Sequence, residues 1–383
     1  MIPFLLRCVV ALQVVLALRV FFRMGRTAKG ARITPRPAPA GSTGRVSVLV
    51  PVLNEEERLA ACLQGLLAQG DDVREIIVID GGSTDGTIGL VERFAAAEPR
   101  LRLVSAAPVP RGVNGKAHGL AVGEAAASGE TDWVLVIDAD VRPAPNLVPS
   151  LLAMADSEEL WVLSVATRQR LSGPSEGVLH PSLLTTLVYR FGIPGHVATD
   201  PEEVQANGQC LLVERDALRT VGGFGSVLGA NAEDVTLVRS LVAAGIPAGF
   251  FEGGDLVEVA MYPSWRAAWD GWTRSLPMRD RFSTWRLPFA LAEVLLVQAA
   301  PLGLWLFAVA RHGPRHPLAA LEGGLVAARL GVLAGMRRAY IDPPATYWLS
   351  PLVDLPVAIK LVSSALRRQF TWRGRDLIPG DHV

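Results

Sequence analysis

The chain of 383 residues is long enough for more than one domain, and half of its residues are hydrophobic while 19% are charged. This balance, with a mean hydropathy of +0.31, excludes an ordinary soluble protein and also a bundle made only of membrane helices. Lysine plus arginine equals aspartate plus glutamate at 37 each, so the composition gives no reason to expect a nucleic-acid partner.

An N-terminal membrane anchor helix is predicted over residues 1–23. This stretch is almost continuously apolar and reaches the length of about 20 residues that a transmembrane helix needs. No small-residue cleavage site follows, which favours an uncleaved anchor over a signal peptide. Arg7 and Arg19 lie near its ends, where long side chains can reach the headgroups; a helix lying in the interface is the alternative. Residues 24–45 are predicted to form a linker, because residues 31–45 are rich in Pro, Gly, Ser and Thr.

Short aliphatic runs alternate with helix-length stretches over residues 46–285. The runs VSVLVPV, EIIVID, RLRLVS and DWVLVID are typical of buried parallel strands. The stretch EERLAACLQGLLAQ places Leu59, Leu63, Leu66 and Leu67 on a common helix face. The repeated pattern predicts an α/β domain with a Rossmann-like, mainly parallel sheet and helices on both faces.

Residues 286–368 are predicted to hold about three α-helical membrane segments. Residues 288–310 carry a single charge, Glu293, and are the clearest span. Residues 317–336 are a weaker span, and residues 347–366 are weaker still because they contain an aspartate and a lysine, so an interfacial position is the alternative for this last segment.

The strand-like run WVLVI leads into two carboxylates, Asp138 and Asp140. Residues two apart on an extended chain point the same way, and ligands of open parallel sheets bind beyond the carboxyl ends of the strands. A hard divalent ion, Mg²⁺ or Mn²⁺, that bridges to phosphate oxygens would relieve the repulsion between the two carboxylates. An acid-rich junction without a ligand is the alternative.

Polar residues also follow two other predicted strands. Asp80 ends the run IIVID, and a Gly-Gly turn follows it, with Ser83 or Asp85 able to cap the next helix. Asn54 and Glu55 end the first strand, where capping by Asn54 is the alternative explanation. Three strand ends that carry polar side chains at corresponding places predict one shared binding edge.

Two predicted helix starts carry further charged or polar groups. Asn114 and Gly115 open one helix, whose N-terminal amides attract anions, and Lys116 adds a positive charge suited to a diphosphate. Glu233 and Asp234 begin another helix, where acidic residues are often only partners of the helix dipole.

In order along residues 50–141, the pieces VPVLNE, VIDGGSTDGT, NGKAHGL and VIDADV resemble glycosyltransferases of family 2, which have the GT-A nucleotide-sugar-binding fold. The resemblance implies that Asp80 contacts the nucleoside, with Gly81 standing where many relatives have a second aspartate. It implies that Asp138 and Asp140 bind the metal, Asp140 being the more direct ligand. It assigns to nucleotide-sugar binding Pro51, Asn54, Glu55, Asp80, Ser83, Asp85, Asn114, Lys116, Asp138 and Arg274.

The segment NGQCLLVERDALRTVGGFGS resembles the acceptor-side strand and helix of the same family. The resemblance makes Asp234 the general base, which removes the proton of an attacking acceptor hydroxyl while a metal stabilises the leaving diphosphate. Residues 261–285 lack the Q-x-x-R-W motif of many membrane-bound relatives; DGWTRSL is the nearest match, and an interfacial helix anchored by Trp and Arg is the alternative. The resemblance assigns to the acceptor side Asn207, Gly208, Gln209, Glu233 and Trp272.

The order of parts, with MYPSW, DGW and FTWRGR, is similar to bacterial carotenoid glucosyltransferases and related hopanoid or ceramide enzymes. This resemblance implies an inverting transfer of glucose from UDP-glucose to a carotenoid or other isoprenoid hydroxyl or carboxyl. Polyprenyl-phosphate, hopanoid and ceramide acceptors are the alternatives. A nucleotidyltransferase usually has a Gly-rich basic loop where this chain has NEEER, and an inactive membrane scaffold leaves the retained aspartates unexplained.

The predicted location is the cell membrane, with the catalytic domain on the cytoplasmic face. The widely separated Cys8, Cys62 and Cys210 form no CxxC pair, which favours a reducing compartment. The tail, residues 369–383, follows the last predicted span and contains basic and aromatic residues suited to anionic headgroups.

Overall fold

The computed structural model describes residues 2–28, 30–38, 44–260, 262, 264–275, 286–366, 370–372 and 375–377. The chain divides into two compact units. The first, here called the sheet unit, consists of Ala31–Gln169, Pro194–Ala260 and Arg368–Val383. The second, here called the helical unit, consists of Met1–Gly30, Arg170–Ile193 and Met261–Arg367.

The strands are short, as the aliphatic runs predict, and most of them belong to the sheet unit. In chain order they are β1 Val46–Val52, β2 Val73–Asp80, β3 Leu101–Ser105, β4 Trp133–Ile137, β5 Val141–Pro143, β6 Val162–Ala166, β7 Arg168–Arg170, β8 His196–Ala198, β9 Cys210–Glu214, β10 Ala248–Glu252, β11 Val257–Ala260, β12 Tyr340–Ile341, β13 Phe370–Trp372 and β14 Arg375–Leu377.

The helices fall in both units. In chain order they are α1 Ile2–Thr27, α2 Leu59–Leu67, α3 Thr87–Ala95, α4 Gly115–Ala126, α5 Leu147–Ser157, α6 Pro174–Phe191, α7 Arg215–Thr220, α8 Glu233–Ala243, α9 Trp265–Ser275, α10 Arg286–Glu293, α11 Ala300–His312, α12 Pro317–Met336 and α13 Asp354–Leu366. A π-helical segment, Val294–Ala299, joins α10 to α11.

The sheet unit is built on an eight-stranded sheet whose order, within the described residues, is β3-β2-β1-β4-β9-β6-β10-β8. Strand β1 runs parallel to both β2 and β4, so the carboxyl ends of these three strands meet at one edge. The mainly parallel α/β sheet is therefore confirmed. Strand β9 runs antiparallel to β4 and β6, a reversal that the aliphatic pattern alone does not reveal.

The core of the sheet unit consists of the predicted aliphatic runs. All five residues of β4 are buried, as are six of the seven residues of β1. Helix α2 begins at Leu59, later than the predicted stretch, and buries Leu59, Leu63 and Leu66 together with Cys62. Leu67 is only half-buried, because the helix turns it away from the face that Cys62 occupies.

Four helical segments of the helical unit are long and apolar enough to cross a membrane by length and composition. They are Arg7–Thr27, Arg286–His312, Pro317–Ala339 and Ala345–Ala365. The unit also contains α6, which the predicted domain of residues 46–285 placed with the sheet. This helix mixes buried Ser, Thr and His with aliphatic residues, so its sequence shows neither an apolar span nor a clean amphipathic stripe.

Ion pairs inside the helical unit account for charges within its apolar segments. Arg19 Nε lies 3.1 Å from Glu293 Oε1, and Arg23 Nη1 lies 3.0 Å from Glu293 Oε2. Arg19, expected to extend to headgroups, contacts this carboxylate while half of its own side chain stays exposed, because a buried carboxylate is stabilised by a nearby cation. Arg329 Nε similarly lies 2.8 Å from Asp354 Oδ2, and both side chains are almost fully buried.

Candidate active site

The two carboxylates that follow β4 lie in different surroundings. Asp138 Oδ1 is 2.6 Å from Lys116 Nζ, so this carboxylate already has a cationic partner. Asp140 Oδ2 is 3.9 Å from Arg58 Nη1, a loose ion pair. Asp140 Oδ1 is buried and accepts no hydrogen bond within the described part of the chain. Asp140 thus offers an unused oxygen, whereas Asp138 is held by a lysine.

The electrostatics of this pair favour an added positive charge. Burial raises the pKa of Asp140 to about 7, and repulsion from Asp138 adds to the rise although Arg58 opposes it. Burial also raises the pKa of Asp138, against the opposing effect of Lys116. Among the residues that the structure describes, no group of three or more His, Cys, Asp or Glu side chains could hold a metal. A divalent ion at Asp140 would therefore take its remaining ligands from phosphate and water, as Mg²⁺ commonly does.

Lys116 lies at the centre of a buried charge cluster. Its Nζ lies 3.2 Å from Glu233 Oε1 in addition to the contact with Asp138, and it donates to the carbonyl of Gly208 at 3.4 Å. Burial alone would lower the pKa of Lys116, but the charges of Asp138, Glu233 and Asp234 outweigh burial and raise it. The lysine is therefore a permanent cation.

Asn114 fixes the helix that carries Lys116. Its side-chain oxygen accepts the backbone N–H groups of Lys116 and Ala117 at 2.9 and 3.2 Å, which confirms the predicted helix start. Its Nδ2 donates to Glu233 Oε2 at 3.2 Å. Glu233, expected to shape the start of α8, thus also ties α8 to α4.

Asp234 is held by backbone amides at the first turn of α8. The N–H of Gly208 donates to Asp234 Oδ2 at 2.6 Å, and the N–H of Val235 donates to Oδ1 at 2.8 Å. Burial and the neighbouring Glu233 raise the pKa of Asp234 to about 6. A carboxylate that titrates near neutrality suits a general base. A Cβ on Gly208 would lie 3.1 Å from Asp234 Oδ2, so glycine permits this close approach.

The loops after β1 and β2 are bonded to each other. Asn54, whose φ is +55°, donates its N–H to Ser83 Oγ at 2.9 Å, and its Oδ1 accepts the N–H of Thr84 at 2.8 Å. The alternative that Asn54 caps a helix is therefore wrong, because its side chain is used across the loops. Ser83 likewise does not cap α3.

Asp85 lies one residue before Gly86, the N-cap of α3, and its carboxylate accepts hydrogen bonds at the start of the helix without being the N-cap itself. Its Oδ1 accepts the N–H of Thr87 at 3.0 Å, and its Oδ2 accepts the N–H of Glu56 at 3.2 Å. Hydrogen bonding, first of all from the Thr87 hydroxyl, lowers the pKa of Asp85. Thr87 Oγ1 also accepts the N–H of Glu55 at 2.9 Å, so the first motif is anchored to α3.

Asp80 and Pro51 lie on neighbouring strands at the same edge. Asp80 ends β2 directly opposite Val52 of β1 and is buried. Its carboxylate accepts the N–H of Gly82 at 3.0 Å and that of Ser83 at 3.1 Å, which shapes the Gly-Gly turn. Pro51 is half-buried one residue earlier in β1.

The remaining predicted residues fall into two groups. Asn207 and Gln209 flank Gly208 just before β9, and the backbone N–H of Asp138 donates to the carbonyl of Gln209 at 3.2 Å. Trp272 and Arg274 belong to α9, but their side chains lie outside the described residues. Sequence reasoning missed Arg58, whose Nη2 lies 3.2 Å from Glu55 Oε2; its position three residues after that glutamate is the signal that could have shown it.

Comparisons with known proteins agree with this geometry. A family model described as Glycosyl transferase family 2 matches residues 47–222. The uncharacterized glycosyltransferase YibD of Escherichia coli is 31% identical over 121 residues, which cover 32% of this chain and 33% of that protein. An undecaprenyl-phosphate 4-deoxy-4-formamido-L-arabinose transferase of Shewanella sediminis is 32% identical over 29% of this chain and 33% of its own length.

Longer matches also exist. The N-acetylglucosaminyl-diphospho-decaprenol L-rhamnosyltransferase of Mycobacterium tuberculosis is 30% identical over 44% of this chain and 61% of its own length. The chain spans only about a third of the length of YibD and of the Shewanella sediminis transferase. The mannosyltransferase PcManGT of Pyrobaculum calidifontis, solved with GDP-Man and Mn²⁺, has a TM-score of 0.54 at 22% identity, covering 93% of this chain and 97% of that one.

The likeness to PcManGT confirms the GT-A fold. The family match covers the carboxyl ends of β1, β2 and β4, which form the edge that carries the site. Residues 47–222 of this chain are therefore similar to glycosyl transferase family 2.

Proposed function

We propose that this protein is a membrane-bound inverting glycosyltransferase that moves a sugar from a nucleotide-sugar donor to a lipid acceptor. One observation carries the proposal. Lys116 connects Asp138, on the donor side, to Gly208, whose N–H holds Asp234. A cation for a diphosphate and a carboxylate base thus belong to one connected cluster, as direct displacement at a sugar requires.

The donor side is assigned to the carboxylates after β4. The unused Oδ1 of Asp140 would hold a divalent ion, Mg²⁺ or Mn²⁺, with Asp138 beside it. When bound, such an ion supplies positive charge that stabilises the leaving diphosphate. Lys116 adds a second positive charge, and the loops that carry Asp80 and Asn54 would hold the nucleoside.

The acceptor side is assigned to Asp234. A carboxylate with a pKa of about 6 is mostly ionised at neutral pH and can take the proton of an acceptor hydroxyl. An attack from the side opposite the diphosphate inverts the anomeric carbon. Glu233 is a poor base, because Lys116 and Asn114 already occupy its two oxygens.

A lipid acceptor is supported by the helical unit, which has four segments suited to a membrane. Two of the relatives are named for undecaprenyl phosphate and for a diphospho-decaprenol, so isoprenoid lipids are the class we favour. Within it we propose a carotenoid or other isoprenoid hydroxyl or carboxyl, with polyprenyl phosphate as the second candidate. UDP-glucose is the proposed donor, and the cytoplasmic face of the cell membrane is the proposed location.

Titration calorimetry of the purified protein with UDP-glucose and with GDP-mannose, each with and without Mn²⁺, tests the donor side. We expect one of the two to bind, and to bind more tightly with Mn²⁺. Absence of binding by either nucleotide sugar would contradict the proposal. Mass spectrometry of lipid extracts from cells with and without the protein then identifies the glycosylated lipid.

A further inference from the structure

Hydrogen bonds orient the side-chain amide of Gln209, and the first of them involves its own backbone. The N–H of Gln209 donates to Asn207 Oδ1 at 3.1 Å. A backbone N–H can only donate, so the oxygen of the Asn207 amide must face it. The Nδ2 of Asn207 is therefore the atom that faces the Gln209 side chain, and it donates to Gln209 Oε1 at 3.0 Å.

A second group, the hydroxyl of Thr167, agrees with this orientation. The carbonyl of Thr167 can only accept, and it accepts Gln169 Nε2 at 3.1 Å. The same nitrogen donates to Thr167 Oγ1 at 2.7 Å. The hydroxyl proton of Thr167 is therefore free to go to Gln209 Oε1, which lies 2.8 Å away.

The chain of hydrogen bonds through Asn207 thus fixes the side-chain oxygen of Gln209 inward, and the Thr167 hydroxyl can donate to it in that orientation. The Nε2 of Gln209 must then point away from Asn207 and Thr167, with both protons available. Among the described residues, none accepts a hydrogen bond from this nitrogen, and Gln209 is partly exposed. The network converts a freely rotating amide into an oriented donor, which lowers the entropy cost of binding an oxygen there.

The position of Gln209 indicates which oxygen it serves. A Cβ at Gly208 would lie 2.8 Å from Lys116 Nζ, so that face of the segment looks toward the charge cluster. Gln209 follows in a hydrogen-bonded turn, in which the N–H of Cys210 donates to the carbonyl of Asn207 at 3.3 Å. The carbonyl of Gln209 accepts the N–H of Asp138 at 3.2 Å, and the N–H of the preceding Gly208 holds Asp234. The backbone of Gln209 therefore lies between the donor-side carboxylate Asp138 and the proposed base.

We propose that Gln209 Nε2 donates a hydrogen bond to a hydroxyl or phosphate oxygen of the lipid acceptor, and that Asn207 and Thr167 are the positioning residues for this donor. The assignment rests on the proposed transferase function. It adds a chemical requirement to that function, because the acceptor must present an oxygen with a free lone pair next to the attacking hydroxyl.

Two substitutions of Gln209 separate donor loss from charge. Gln209→Glu keeps an oxygen toward Asn207 and Thr167 but replaces the outward nitrogen with an oxygen. Gln209→Met has a similar length, removes the donor and adds no charge. In both variants we expect the acceptor KM to rise about tenfold, the size of one lost hydrogen bond to a charged or well-placed group, with the Kd of the donor unchanged.

A third variant changes the orientation of Gln209 without altering that residue. Asn207→Asp keeps an oxygen toward the Gln209 N–H but now presents a second oxygen to the Gln209 side chain. The Gln209 amide should then rotate and turn its oxygen outward, so the acceptor KM should rise as it does in Gln209→Glu. A residue that only stabilises the fold would lower the melting temperature without this selective rise.

The assays use the full chain in detergent with Mn²⁺ and the nucleotide sugar that the wild type binds. Geranylgeraniol and geranylgeranyl phosphate serve as separate acceptor probes, which distinguishes a hydroxyl from a phosphate oxygen. An unchanged acceptor KM in Gln209→Met, or an effect confined to Gln209→Glu, would overturn the inference. An effect on donor Kd alone would overturn the acceptor assignment, and a wild type that uses neither probe would overturn the lipid class. A wild type that binds no nucleotide sugar would instead contradict the proposed function.

Discussion

The substitution Asp234→Asn tests the assignment of the general base. The variant can keep the hydrogen bond from the Gly208 N–H to the side-chain oxygen, which measures 2.6 Å in the structure. Its amide nitrogen would then face the N–H of Val235, which now donates to Asp234 Oδ1 at 2.8 Å. This mismatch costs about 1–3 kcal/mol of stability, which a folded protein can tolerate. The change therefore removes the base while leaving the site largely in place.

The expected loss of sugar transfer is large. Positioned general bases contribute about 100- to 10,000-fold to rate, so transfer should fall by a factor in that range. Binding of the nucleotide sugar should change little, because the Asp140 carboxylate and Lys116 are unaltered. Transfer is measured with a radiolabelled nucleotide sugar and extracted lipid, and donor binding by calorimetry.

The pH dependence provides a second measurement on the same base. The pKa of Asp234 is raised to about 6, and a base works only in its deprotonated form. With Mn²⁺ and the nucleotide sugar at saturating concentrations, which offsets proton competition at Asp140, wild-type transfer should therefore be constant at neutral pH and fall as pH drops through about 6. The residual activity of Asp234→Asn should lose this acid limb.

A surface carboxylate supplies the matched control. Asp216 has an 81% exposed side chain and, among the residues that the structure describes, forms an ion pair only with Arg219 in the next helical turn. Asp216→Asn makes the same chemical change and should transfer sugar like the wild type. If Asp234→Asn also transferred at the wild-type rate, another group would have to remove the acceptor proton, and the base assignment would be refuted.

Further predictions concern the metal, the glycine beside the base and the helical unit. Asp140→Asn should weaken Mn²⁺-dependent donor binding. In the wild type, the same binding should weaken as pH falls below about 7, because protons then compete with the metal for Asp140. Calorimetry in which neither the substitution nor the pH changes donor binding would contradict both predictions. Gly208→Ala should lower the free energy of unfolding by about 1–3 kcal/mol, because the added methyl would lie 2.8 Å from Lys116 Nζ, which is itself fixed by ion pairs. An unchanged melting temperature would argue against this crowding. Arg329→Met should destabilise the detergent-solubilised protein by about 3–5 kcal/mol, because it leaves the buried Asp354 without its ion-pair partner. Adding Asp354→Leu should recover much of the lost stability. A double variant no more stable than Arg329→Met would refute the pairing argument.

Local sequence signals predicted the strands and the binding edge well, for a physical reason. A buried parallel strand must be continuously apolar, so β1 covers the predicted run without a shift. The polar residues Asp80 and Asp138 follow directly from the ends of such runs. The direction of a strand cannot be predicted in this way, because an apolar run has the same composition in a parallel and in an antiparallel strand. The antiparallel orientation of β9 was therefore not predicted.

The pairings between distant residues could not be read from the sequence. Lys116 and Glu233 are far apart in the chain and meet only because α4 and α8 pack together. The role of α6 in the helical unit was hidden in the same way, since its buried Ser, Thr and His side chains find partners only in the folded unit. Arg19 was expected to extend to headgroups because its partner, Glu293, lies in another predicted segment.

The adjacent acids Glu233 and Asp234 show how the fold gives one pair of similar side chains two roles. The oxygens of Glu233 contact a lysine and accept from an asparagine amide, and the side chain is buried, so neither oxygen is available to an acceptor hydroxyl. Among the described residues, Asp234 accepts hydrogen bonds only from backbone N–H groups, and burial together with the nearby Glu233 raises its pKa to about 6. Different environments thus separate the two carboxylates into one that holds α8 to α4 and one that titrates near neutrality. The base assignment therefore rests on the surroundings of each side chain as well as on its place in a family motif.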